Sequence, residues 1–160
     1  MCYLCRINLH DMKSFKEFIS RVGKARGFGI QSPWAYRFVT EVVGERSPYY
    51  YYEEIERQYP NAKERKFQKL VFRISNFTYP AETVVMNIED AHGHALDDAV
   101  RRCGTGGAIV LRGINSSDKA RQQWQQVLSR QDIGVTFDMY HFAVCFLDTA
   151  MYKQHYRLNF

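Results

Sequence analysis

Residues 83–113 read TVVMNIEDAHGHALDDAVRRCGTGGAIVLRG, and their reading decides the fold. The apolar run 83–88 has strand length and no helical spacing. Residues 93–103 carry a helical pattern that "GTGG" (104–107) stops. Residues 108–113, AIVLRG, form a second apolar run of strand length. Working outward, residues 116–130 predict a helix capped by Ser116 or Ser117, with Ala120, Trp124, Val127 and Leu128 facing inward. Residues 133–139 and 142–148 predict two strands joined by a tight turn around Tyr140. Strands that alternate with helices require right-handed crossovers and a mostly parallel sheet. The closing pair has almost no linker, so it must be antiparallel. The expected fold class is α/β.

Upstream the pattern is helical. Residues 13–25 form a short basic amphipathic segment, with Phe15, Phe18, Ile19 and Val22 on one face. "GFGIQSP" breaks it. Ser32 then caps a helix with Pro33 at its first position, which runs to Val43 and stops at Gly44. Four tyrosines, Tyr49 to Tyr52, precede a helix expected within residues 50–58. They are read as alternating packed and exposed rings; a stacking platform for a base or sugar is the other reading. Residues 62–78 form a clear helix, with Phe67, Leu70, Val71, Ile74 and Phe77 at helical spacing. The expected division is an extension over 1–12, a helical segment over 13–62 and an α/β domain over 63–160.

The 160 residues suggest one domain, and 46% hydrophobic with 24% charged residues is an ordinary globular balance. Phe and Tyr supply 22 of the 24 aromatic residues, which favours broad, partly polar contact surfaces. The net charge of +5 permits an anionic partner, but nucleic acid is not the expected one. No run of 18 apolar residues exists, so no membrane span is expected. The start lacks a signal-peptide pattern, and a cytoplasmic protein is expected. Four cysteines do not make a disulfide framework; Cys103 and Cys145 read as buried thiols. Cys2, Cys5 and His10 lack the fourth ligand that a zinc site needs.

Four stretches, in order, resemble one family. "RGFGIQSPWAYRFVTEVV" (26–43) is similar to the "HGIHSPFVYDF" signature of a bacterial subfamily of class I S-adenosylmethionine-dependent methyltransferases. "YYEEIE" (51–56) resembles the tract that follows it. "KLVFRISNFTYP" (69–80) resembles the helix before that fold's first strand. "DMYHFAVCFLDTAMYKQHYRLNF" (138–160) resembles the family's closing hairpin and its "KQHF-x-L-x-F" end. The resemblance implies a Rossmann-like sheet, whose full order is 3-2-1-4-5-7-6. The chain departs from it internally: "TYPAETVVMNI" leads almost at once to "GGAIVLRGI", which resembles the fifth strand. The implied sheet is therefore reduced to about four strands in the order 1-2-4-3, with only the fourth antiparallel and N-terminal helices packed over it.

The stretch "NIEDAHGHALDD" (87–98) aligns with the family in two ways. It matches either the first strand and its glycine-rich turn, with Gly93 as one glycine, or the fourth strand and its "I-D-G-N-H" loop. The second is preferred, because it needs no gap before "GGAIVL"; Ile88, Glu89 and His92 then match the family's Ile, Asp and His. Either way a cofactor-holding segment is missing, including the acid that should hold the ribose hydroxyls. Metal-using relatives carry an acidic pair where this chain has Arg112 and Gly113, and the family's signature His is Gln31. If S-adenosylmethionine binds, the resemblance implies a lining of Gly29, Gln31, Ser32, Glu89, His92 and Gly93.

From the residues alone, His92 and His94 at i, i+2 share a face only on an extended segment, where Glu89 or Asp90 could complete a metal site. The favoured reading is a polar strand-to-helix loop, with Asp97 and Asp98 complementing the helix dipole. Anion or nucleotide binding at the helix start is the third reading. "GTGG" precedes a strand instead of opening a helix, so it is a turn and not a phosphate loop.

The leading functional expectation is a degenerate, non-catalytic methyltransferase-like protein serving interaction or regulation. One alternative is a functional S-adenosylmethionine-binding methyltransferase completed by dimerisation. The other is a basic nucleic-acid-binding module. Losing the outer strands leaves the edge of strand 83–88 bare, so the N-terminal segment is expected to cover it, or a protein partner or second copy to pair there. Residues 1–11 read as an upstream extension or a misplaced start.

Overall fold

The structure, a computed structural model, describes residues 29–160. The expected helix over 13–25 and the cysteines at 2 and 5 lie outside the described residues. Among the described residues, five α-helices and five strands follow in the order α1 (Pro33–Phe38), α2 (Tyr52–Gln58), α3 (Ala62–Thr78), β1 (Thr83–Asn87), α4 (Gly93–Cys103), β2 (Ala108–Arg112), α5 (Asp118–Ser129), β3 (Val135–Asp138), β4 (Phe142–Phe146) and β5 (Gln154–Arg157). A π-helical turn, Val39–Val43, prolongs α1 until Gly44 closes it.

Caps set the helix starts. The Ser32 hydroxyl accepts from the Ala35 amide at 3.3 Å, and Pro33 occupies the first turn, where its missing N–H costs nothing. The Asn61 side chain accepts from the Lys63 and Glu64 amides at 2.9 and 3.2 Å. For α5 the cap is Ser117, which accepts from the Ala120 amide at 3.0 Å. The stripe Phe67, Leu70 and Ile74 buries α3 against the sheet.

The fold is mixed α/β, and the expected count of four strands is corrected to five. The sheet order is β1-β2-β4-β3-β5. β1 pairs parallel with β2, from Thr83 opposite Ala108 to Asn87 opposite Arg112. β4 runs antiparallel to both β2 and β3. β5 adds parallel to β3, with Tyr156 opposite Phe137. The addition has a local cause: the Tyr156 ring stacks on Phe137 at 5.2 Å, and Leu158, fully buried, bonds through its amide to the Asp138 carbonyl at 2.8 Å.

Alternation along the central strands builds two cores. Val110, Phe137, Val144 and Phe146 face α1 and α3; Ile109, Leu111, Ala143 and Cys145 face α4 and α5. The first core is aromatic. Phe38 lies 4.5 Å from Phe137 and 5.0 Å from Phe146, and Trp34 lies 4.7 Å from Phe146, centroid to centroid. Each of the buried rings Phe38, Phe137 and Phe146 contributes about 1.5–3 kcal/mol through burial alone. α1 thus belongs to the same core as the sheet. Gly107 and Gly134 allow close backbone approach at the ends of the strands: a Cβ at either would lie 2.4 Å from a carbonyl oxygen, of Cys103 and Asp148 respectively.

Candidate functional site at the carboxyl end of the sheet

Open α/β sheets bind ligands beyond the carboxyl ends of their parallel strands. Here that region is a crevice of about 940 Å³ between the ends of β1 and β2 and the start of α3. Asn61, Glu64, Asn87, Arg112, His141 and Phe160 are among its lining residues. The register fixes Arg112 at the last position of β2, on the face that α3 covers. Its guanidinium donates two hydrogen bonds to Glu64, at 3.1 and 2.7 Å, and lies 4.4 Å from the centre of the Phe67 ring. Gln68 donates to the same carboxylate at 2.8 Å. The Arg112 hydrogen bonds hold Glu64 below the usual carboxylate range, with Gln68 acting in the same direction against partial burial. A carboxylate held charged by an arginine is a poor proton acceptor near neutral pH. The pair lines the crevice and offers neither a base nor a free cation.

The residues after β1 make a separate feature. Ile88–Asp90 form one 3-10 turn, which buries Ile88 and leaves Glu89 and Asp90 exposed. His92 precedes α4, and its Nδ1 lies 3.2 Å from the Gln123 amide nitrogen. Gly93 opens α4 at φ +51°, a backbone conformation that favours glycine. His94 is exposed in the first turn. No group of three or more metal-ligating side chains occurs among the described residues. The dipole role expected for Asp97 and Asp98 is corrected: the first turn of α4 holds no acid, and both residues lie beyond it. They are used instead in ion pairs at 2.9 Å, Asp97 with Arg130 and Asp98 with Arg101.

The six residues implied for cofactor contact fall into two groups. Glu89, His92 and Gly93 follow β1. Gly29 and Gln31, both exposed, precede α1 with Ser32, whose side chain is spent on its cap and on a hydrogen bond with the Tyr156 phenol of β5. β1 and β5 are opposite edges of the five-stranded sheet, about 19 Å apart at about 4.8 Å per strand. The structure does not bring the two groups together within one chain.

The sequence missed the Glu64–Arg112 pair because 48 residues separate its members. A weak signal existed: Glu64 stands in the first turn of a helix whose apolar stripe begins three residues later. No helix among the described residues is long and apolar enough to cross a membrane. No protein-family model, curated protein or solved structure matches this chain.

Proposed function

We propose that the protein is a degenerate methyltransferase-like module that acts by association, not catalysis, and that a second copy of the chain pairs along β1. The observation that carries this reading is the free edge of β1. Among the described residues the strand pairs in the sheet only with β2, and it holds no charge and no proline. Val85, at its centre, is 40% exposed. Edge strands are ordinarily blunted by charge, proline or a cover, and an apolar bare edge is a template for another strand. Two further features support the loss of catalysis. α3 ends at Thr78 and β1 begins at Thr83, so no cofactor-holding strand intervenes there. The strand end that carries acids in metal-using relatives carries Arg112, neutralised by Glu64.

Two measurements on the full chain test the reading together. Calorimetric titration with S-adenosylmethionine and S-adenosylhomocysteine is expected to give no heat. Sedimentation velocity is expected to give a dimer. Micromolar binding of either compound would overturn the non-catalytic reading and favour an enzyme whose pocket is completed across the dimer.

A further inference from the structure

Arg73 is a buried cation that forms no ion pair among the described residues. It sits on the inward side of α3, three residues after Leu70, and is only 9% exposed. Its Nη1 donates to the Glu45 carbonyl at 2.9 Å and to the Tyr52 hydroxyl at 3.2 Å. Its Nε has no hydrogen-bond partner, and no carboxylate forms an ion pair with it among the described residues. The Glu45 carboxylate accepts from the Ser47 amide at 2.6 Å and feels Arg73 only as a through-space attraction, not as an ion pair. A buried charge is ordinarily paired, because desolvation is otherwise uncompensated.

Arg73 lies where two crevices join, of about 590 and 620 Å³. The first is lined by four cations, Arg46, Lys66, Lys69 and Arg73, against one carboxylate, Glu45. Lys69 is already paired with Glu56. Lys66 rests its ammonium 4.2 Å from the centre of the Phe160 ring and has no ion-pair partner among the described residues. The second crevice is lined by Tyr49, Tyr50 and Tyr52, and Tyr50 is 93% exposed. An exposed aromatic face beside a cationic pocket suits a base and its phosphate. Glu53 and Glu56 also line this second crevice, and they would repel a continuing phosphodiester chain.

We propose that these joined crevices bind a free nucleoside monophosphate, with the phosphoryl group between Arg73, Lys66 and Arg46 and the base against Tyr50 and Tyr49. The site is separate from the sheet edge and stands whether or not the chain dimerises. The test is titration of the full chain, at low salt, with guanosine monophosphate, guanosine, inorganic phosphate and a short single-stranded RNA. The monophosphate is expected to bind about tenfold or more tighter than phosphate alone, and guanosine to bind more weakly still. Arg46→Glu and Lys66→Glu alter exposed side chains, so folding should survive. Each is expected to weaken the monophosphate about tenfold or more, and Tyr50→Ala to bring it toward the affinity of phosphate. Arg73→Gln, checked for folding by its melting curve, should abolish binding. The proposal is overturned if the monophosphate does not bind, if guanosine binds as well, if RNA binds more tightly, or if Arg46→Glu and Lys66→Glu leave the affinity unchanged.

Discussion

Glu64 carries more structural weight than its place in a helical first turn suggests. It receives Arg112 in a two-pronged contact and Gln68 from the next turn of its own helix. The sign of its pH dependence follows from the lowered carboxylate pKa. Folding depresses that pKa, so the contribution is fully present above the unfolded value of about 4.3 and is lost as pH falls through the lower folded value. The side chains are 42% exposed for Arg112 and 26% for Glu64, and solvent screening limits the pair to about 1 kcal/mol. Urea unfolding of the wild type and Glu64→Gln should therefore differ by about that much at pH 7, and the difference should shrink as pH falls below about 4.3. A difference that does not shrink with falling pH would show that the carboxylate's charge is not what matters. Arg73 falls within the apolar stripe of α3, between Leu70 and Ile74, and its significance comes from the burial of a charge at that position.

Elements with strong local chemistry are legible in the sequence. α3 begins and ends where the spacing puts it, and α4 ends where Gly104 stops it, because such local signals mark a boundary without help from distant residues. Where two caps competed, packing chose between them: Ser117 accepts the Ala120 amide, whereas Ser116 lies one residue outside, its own amide donating to the Gly113 carbonyl at 2.9 Å. Ser117→Ala should accordingly cost about 1 kcal/mol in chemical denaturation, and Ser116→Ala less than about 0.5 kcal/mol. Equal losses would mean that the cap is shared. β5 was not readable. Its four residues, QHYR, have no apolar alternation, and three of them are exposed. The strand forms because Tyr156 finds Phe137 and because Leu158 behind it finds the core, and both are tertiary facts.

At the scale of the whole molecule the two sheet edges are treated differently. The β5 edge displays Gln154, His155 and Arg157, polar side chains of the kind that discourage edge-to-edge pairing. The β1 edge displays TVVMN. The helices do not remedy this: α3 and α4 pack on the two faces of β1, and Val85 still shows 40% of its surface. If a second copy of the chain uses this edge, a charge at the strand's centre should prevent the pairing while leaving the fold intact. Val85→Lys places an ammonium on a side chain that is already partly in water, so its cost to folding should stay within about 0.5 kcal/mol. With the twofold axis at the strand's centre, the same ammonium would face its symmetry mate, where like charges directly opposite repel. Sedimentation velocity of the wild type and Val85→Lys at matched concentrations should thus give a dimer and a monomer, with melting curves that differ little once the dimer's contribution is absent. A monomeric wild type would remove the pairing proposal altogether. A variant that remains dimeric would move the interface away from β1, and the bare edge would then need another cover.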